Sequence, residues 1–317
     1  MAMWQPVTPA VTDRPPATDL VARPSASGVF LAVLGAIAFS GKAIIVKLAY
    51  RYGVDAVTLI MYRMLLALPL FACMAWWSGR GKPALSRRDW AGVFGLGFTG
   101  YYLASYLDFA GLAFISASLE RLILYLNPTL VLLLGLMLFK RRIQRMHLLG
   151  MGISYAGVLL VFGHEVRLEG SDVVLGTLLV LASTVSYAIY LTYSGELVQR
   201  LGSLRLVGLA TSVACVLCIA QFVVLRPLQA AQVAPEVIWL SVLNATLCTA
   251  LPVLMVMMAI ERIGASAAAQ AGMVGPIATI LMGVLILGEP FTAWVAAGTV
   301  LVIAGIFVFT RSTRTLT

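Results

Sequence analysis

Apolar residues run along this chain in unbroken stretches, and polar residues gather in the short gaps between them. Ten such stretches follow one another, at about 29–50, 56–77, 90–110, 114–139, 146–163, 173–198, 204–225, 236–258, 265–287 and 291–310. Each is near the roughly 20 residues that a helix needs to cross the hydrocarbon of a bilayer. The pattern predicts an all-α integral membrane protein with ten transmembrane helices.

The pattern also repeats. Residues 117–161 return as 265–309 at a constant offset of 148 positions without gaps. Ala117-Ser118 falls on Ala265-Ser266, Pro128 on Pro276, Gly135 on Gly283, Gly150 on Gly298, and Ala156-Gly157 on Ala304-Gly305. Shared lipid composition explains matching leucines. Matching prolines and glycines fix where a helix bends or is closely approached, so they indicate duplication. Five spans separate equivalent helices, and five is odd, so the second half must enter the membrane from the opposite face. The expected fold is therefore two inverted five-helix repeats, a construction typical of secondary transporters with a site near the midplane.

Composition agrees: 61% of residues are hydrophobic and 11% charged, against about 25% charged in soluble chains. The net charge of +9 does not point to nucleic acid, because Lys and Arg lie in short runs between apolar spans, where they set topology. One side collects Arg14, Arg23, Arg80, Lys82, Arg87, Arg88, Lys140, Arg141, Arg142, Arg145, Arg200, Arg205, Arg262, Arg311 and Arg314. The other has Arg51, Arg167 and Arg226 beside Asp55, Glu165, Glu169, Asp172, Glu236 and Glu289. Both termini are thus expected in the cytoplasm of a multi-pass protein of the plasma (inner) membrane. Cys215-x-x-Cys218 has redox or metal spacing but no nearby His or second pair, so Cys73, Cys215, Cys218 and Cys248 read as buried small hydrophobes.

The ten-span plan, the Ser-headed helices with Pro128 and Pro276, and Leu287-Gly288-Glu289 before the last helix resemble the EamA-type branch of the drug/metabolite transporter superfamily. The likeness covers roughly residues 29–310. Spans, loop charges and the Pro-, Thr- and Ala-rich start together give a disordered cytoplasmic tail over 1–28, a first EamA-like repeat over 29–163, an external linker over 164–172, a second over 173–310 and a cytoplasmic tail over 311–317. The resemblance implies export or exchange of amino acids, metabolites, drugs or nucleotide-linked compounds. The chain departs from the pattern at Lys140-Arg141-Arg142, where the family often has a Gly-Glu turn; Arg141 falls opposite Glu289.

Chemistry is sought in ionisable residues inside the spans: Lys42, Arg63, Asp108, Glu120 and Arg121, with Lys47 nearer an edge. A central charge costs about 2.5–3.5 kcal/mol on insertion scales, so such residues turn inward and find partners. At about 1.5 Å per residue, Lys42, Arg63, Glu120 and Arg121 lie roughly 9–12 Å below the outer surface, with Asp108 higher, near the mouth. A pair between Arg63 and Glu120 is expected to hold helices two and four together, if Arg63 does not meet substrate instead. Glu120 and Arg121 diverge by about 100° on their helix, so one meets a neighbouring helix and the other the cavity. Ser118, Arg121, Tyr125 and Pro128 share one face, as do Tyr101, Ser105 and Asp108, and Ser183, Tyr187, Tyr190 and Ser194. Asn127, Asn244, Thr249 and Gln270 add polar groups inside spans.

These residues compose the expected site. Lys42, Arg63, Arg121, Tyr101, Tyr125, Tyr187 and Tyr190 bind substrate, Glu120 and Asp108 carry a coupling proton, and Pro128 and Pro276 act as hinges. Three cations against two acids favour a solute with a carboxylate, phosphate or sulfate, an amino acid or small organic anion. The expected partners are that solute and the lipid bilayer, with no nucleic acid, no metal and no cofactor; a homodimer is left open. An enzyme would need a nucleophile with a base, or paired carboxylates, at membrane depth. His147 and His164 lie at span ends, and Tyr193-Ser194-Gly195 has no histidine in its own half, so no enzymatic activity is expected. A structural or receptor-like membrane protein is the alternative.

Overall fold

A computed structural model of the chain describes residues 26–139 and 145–314. Among them all regular structure is helical. The elements run α1 Ala26–Tyr50, α2 Ala56–Gly79, α3 Arg87–Leu96, α4 Ala104–Leu112, α5 Ala117–Leu124, α6 Asn127–Phe139, α7 Arg145–Glu169, α8 Asp172–Leu201, α9 Ser203–Leu225, α10 Pro235–Ala245, α11 Leu251–Ala271, α12 Gly275–Met282 and α13 Ala293–Arg314. Seven helices among the described residues are long and apolar enough to cross a membrane, and 275–287 and 293–308 are shorter apolar ones. Residues 90–110, expected as a span, lie in the continuous helical stretch from α3 to α4, outside those seven.

The surface is apolar where a soluble protein would be polar. Leu285 and Val224 are each 80% exposed, and Trp76, Trp77, Trp90, Trp239 and Trp294 are also exposed. Large exposed apolar side chains over a whole bundle surface fit a lipid solvent, with tryptophans near helix ends. Inside, Cys215, Cys218 and Cys248 are buried with free thiols, as small hydrophobes, whereas Cys73, expected among them, is exposed on α2.

Three helices contain wide π turns, at Gly97–Leu103, Thr246–Ala250 and Gly283–Leu287. The first two are centred on Gly100 and Cys248, 148 residues apart. The duplication thus reaches upstream of the stretch in which aligned prolines and glycines reveal it.

Helical hydrogen bonding continues from α10 to the end of α11, yet the chain reverses there. The Cys248 thiol packs at Gly41, and the Gly275 carbonyl accepts a hydrogen bond from the neighbouring Ser40 hydroxyl at 3.0 Å. A straight helix would carry positions 248 and 275 about 40 Å apart, so the two cannot both touch adjacent residues of α1 unless the chain folds back between them.

Repeat-equivalent helices lie antiparallel. On α7 and α13, a Cβ at Gly157 would meet the Gly298 carbonyl oxygen at 2.6 Å, and a Cβ at Gly305 would meet that of Gly150 at 2.6 Å. Higher numbers on one helix meet lower ones on the other, and the absent side chains let two backbones touch. The Ser154 hydroxyl reaches the Val302 carbonyl, a contact between two positions of the same repeat alignment. On α2 and α9, Ala75 packs on Gly208 and Met64 on Cys215, again with opposed direction.

The connections gather at two ends of the bundle. At one, Asp55 accepts the amides of Val57 and Thr58 at the start of α2 and pairs with Arg226 at 3.2 Å. At the other, Lys82 reaches the Leu201 carbonyl, Arg205 that of Pro83, and Arg200 pairs with Asp89 at 2.7 Å. The α7–α8 connection is shorter than expected. Helix α7 continues to Glu169, and Gly170, with φ +87°, ends it. The expected polar turn at Lys140-Arg141-Arg142 and the tail before Ala26 lie outside the described residues.

Asp89 forms a capping box with Ser86. Hydrogen bonds from Ser86, with Arg200 nearby, hold its carboxyl below the ordinary value of 3.8. A lowered folded-state value stabilises above the ordinary value and is lost as pH falls through the folded one. Asp89→Asn should therefore lower the thermal midpoint in detergent at pH 7. Its difference from the parent should shrink as the pH is taken below 3.8; a pH-independent difference contradicts the assignment.

Candidate functional site

Between the halves lies a cavity of about 290 Å³ lined by Lys42, Arg63, Asp108 and Arg121, with Phe39, Tyr101, Ser105, Tyr125, Tyr187, Thr211, Thr249 and Val253 among the wall residues. Its volume is at the lower end of small-molecule sites. Four wall pairs are separated by the repeat offset of 148: Phe39 and Tyr187, Arg63 and Thr211, Tyr101 and Thr249, Ser105 and Val253. The cavity therefore straddles the relation between the halves. Its chemistry does not: among the described residues every cation or carboxylate on the wall comes from the first half, against hydroxyls and apolar groups from the second.

Each charge has a distinct setting. Lys42, buried on α1, bonds Asp108 and lies 3.2 Å from Glu120. One ammonium thus serves two carboxylates. Asp108, expected nearer the mouth than Lys42, is level with it; α4 ends in a tight turn before α5, which brings the last turn of α4 beside the first of α5. The expected pair of Arg63 with Glu120 is not formed, because Lys42 holds Glu120. Instead the Arg63 guanidinium donates to the Thr249 hydroxyl at 3.1 and 3.2 Å and lies 5.1 Å from the centre of the Phe109 ring. Thr249 donates in turn to the Asn244 carbonyl, five residues back across the wide turn. The buried Arg63 Nη1 has no hydrogen-bond partner among the described residues.

Arg121 on α5 donates from Nε to the Thr279 hydroxyl at 2.8 Å and from Nη2 to the Phe39 carbonyl at 3.4 Å, with the Phe39 ring centre 5.7 Å away. It lines the cavity, whereas the fully buried Glu120 faces protein. The adjacent pair divides as their angular separation requires. Its guanidinium also joins α5 to α12 and α1, so a ligand there contacts both halves.

Tyr101, Tyr125 and Tyr187 stand on the wall. Tyr190 is packed behind, sharing a hydrogen bond with the Tyr101 hydroxyl at 3.1 Å. The expected hinge prolines flank this region outside the lining. Pro128 sits in the first turn of α6 after a break at Tyr125–Leu126, and Pro276 in the first turn of α12 after a tight 3-10 turn. At such positions the missing amide donor is no loss. The Gly272 carbonyl, four residues before Pro276, receives the Tyr125 hydroxyl at 2.9 Å. The halves are thus bonded at the break itself. Lys47, expected nearer a membrane edge, bonds the Ile115 carbonyl at 2.9 Å.

Phe39, Thr211 and Thr279 are wall or anchor residues with no charge to single them out. Extending the 148-residue offset upstream from Tyr187 reaches Phe39, and downstream from Arg63 reaches Thr211. Thr279 leaves no such signal.

An apolar-coated helical bundle of two duplicated halves with a charged internal cavity defines a multi-pass membrane protein of the transporter class. The model of the EamA-like transporter family matches residues 26–163 and 174–311, and the chain belongs to that family. It is 30% identical over 288 residues to an uncharacterized transporter, YcbK, of Bacillus subtilis strain 168, covering 84% of this chain and 87% of that one. It is 22% identical over 281 residues to an uncharacterized transporter of Archaeoglobus fulgidus, covering 88% and 96%. A solved crystal structure superposes with a TM-score of 0.62 at 19% identity, covering 92% of this chain and 98% of that one.

Proposed function

We propose that this protein is a secondary active transporter, an exporter or exchanger of a small solute bearing an anionic group, an amino acid or organic anion, working by alternating access. The observation that carries the substrate class is the cavity charge: three cations, Lys42, Arg63 and Arg121, against the carboxylates Asp108 and Glu120, with one arginine nitrogen unpartnered. A buried uncompensated cation is costly, and a carboxylate or phosphate between Arg63 and Arg121 relieves it. The tyrosines and Phe39 give the rest of the solute an aromatic wall.

Ten crossings and an inverted pair of halves are supported by three observations. The chain reverses within α11, repeat-equivalent helices are antiparallel, and the connections gather at two ends of the bundle. In this reading the acid-rich connections face outside and both termini lie in the cytoplasm of a plasma membrane. Lys42 between Asp108 and Glu120 forms the coupling element. Two carboxylates on one ammonium leave room for a proton, and solute arrival at the arginines changes the balance.

The test is transport by purified protein in sealed vesicles. Uptake of a labelled amino or organic acid should require unlabelled counter-solute or an imposed pH gradient, and Glu120→Gln should remove its response to that gradient. Flux that ignores the pH gradient in the parent sinks proton coupling. Absence of any carboxylate-solute flux, across a panel of amino and organic acids, sinks the substrate class.

A further inference from the structure

At the end of the bundle assigned to the outside lies a second cavity, of about 450 Å³, lined by Lys47, Arg51, Ser116, Ser118, Glu165 and Glu289 among others. Its inner edge is the first turn of α5, whose amide donors have no helical partners and carry partial positive charge. Glu289, from the second half, takes them. Its carboxylate accepts the Ala117 amide at 2.8 Å, the Ser118 amide at 3.3 Å and the Ser118 hydroxyl at 2.9 Å. Around this clasp Glu165 of α7 bonds Ser116, and Arg51, in the turn after α1, donates to the Leu287 carbonyl at 2.7 Å.

The turn that presents Glu289 is shaped for the purpose. The wide turn Gly283–Leu287 ends on Gly288 with φ +74°, and the Glu289 amide closes back on the Gly283 carbonyl at 3.0 Å. A Cβ at Gly283 would come within 2.9 Å of the carboxylate. Helix α5 also carries Glu120 and Arg121, so any swing of its first turn moves the central site.

The duplication supplies a contrast. By the 148-residue offset Ala117-Ser118 correspond to Ala265-Ser266 and Gly283 to Gly135, but Glu289 corresponds to Arg141. A carboxylate stabilises a helix N terminus and a guanidinium does not. The matching position of the first repeat therefore carries the opposite charge.

We propose that Glu289 is the external latch of the transport cycle, keeping the protein closed to the outside at rest. This rests on the alternating-access reading above. Outward opening then requires the Glu289 carboxylate to leave the first turn of α5.

The test places a cysteine at Ser105, on the central wall, with Cys73 replaced by alanine, and uses the same chain without the new cysteine as blank. A membrane-impermeant maleimide is added to right-side-out and to inverted sealed vesicles. The parent should label faster from the cytoplasmic side. Glu289→Gln should raise labelling from outside about tenfold, the loss expected for charge-assisted bonds. Ser118→Ala, which removes one of the three bonds to that carboxylate, should raise it by less. If both variants keep the parent's side preference, the latch is wrong while alternating access stands. Labelling from one side alone in every variant, whatever solute is added, overturns alternating access itself. Should Glu289→Gln fail to insert, the Ser118→Ala result decides.

Discussion

Arg121→Ala should leave solute exchange about 100-fold below the parent while the protein remains folded. Truncating one member of a buried, hydrogen-bonded charged contact costs about 2–5 kcal/mol in recognition, and each 1.4 kcal/mol is tenfold. The protein keeps its shape because the lost partners, the Thr279 hydroxyl and the Phe39 carbonyl, are neutral. Thr279 can turn to the Gly275 carbonyl at 3.2 Å, a bond it already makes. Lysine should restore less than about a tenth of the activity, since an ammonium lacks the planar fork that engages Thr279, Phe39 and a carboxylate together. Solute-dependent thermal shifts and vesicle exchange, measured on one preparation, check both parts. An alanine variant with parental exchange removes Arg121 from the binding site.

Lys42→Met should have its largest effect on stability. It leaves Asp108 and Glu120 facing each other without their shared cation in a buried position. Removing one member of a buried ionic group costs about 3–5 kcal/mol, because an uncompensated charge remains. The thermal midpoint in detergent should fall sharply at neutral pH. The triple change Lys42→Met with Asp108→Asn and Glu120→Gln should recover most of that loss, as neutral replacements of buried ion groups often do, without recovering transport. If the single change leaves the midpoint intact, the trio is not a unit. If the triple variant transports normally, the coupling role is wrong.

The helical class, the duplication and the cationic character of the site were all legible before any coordinates, because each is written in residue types that lipid penalises or in prolines and glycines that backbone geometry requires. Partnership inside the charged group was not. Lys42, Arg63, Asp108, Glu120 and Arg121 can be paired in several ways from span depth alone. The choice of Glu120 by Lys42 over Arg63 depends on the tight α4–α5 connection. Arg63's actual partner, Thr249, sits on a wide turn that no composition signals, although the position matches Tyr101 at the repeat offset. Glu289 was visible as part of a Gly-Glu turn, but its contact with Ala117 and Ser118 joins positions more than 170 apart in number (172 and 171) and follows only from how the halves close.

The bare backbones facing each other along α7 and α13 restrict how such a molecule can move. With Gly157 against Gly298 and Gly305 against Gly150, and with Val161 and Leu301 closing on the glycines of the facing helix, neither rod can slip past its neighbour without steric collision. In the proposed cycle that seam is the stationary axle, with any swing carried by the remaining helices turning around it, so a bulky residue set there would jam the works far from any solute.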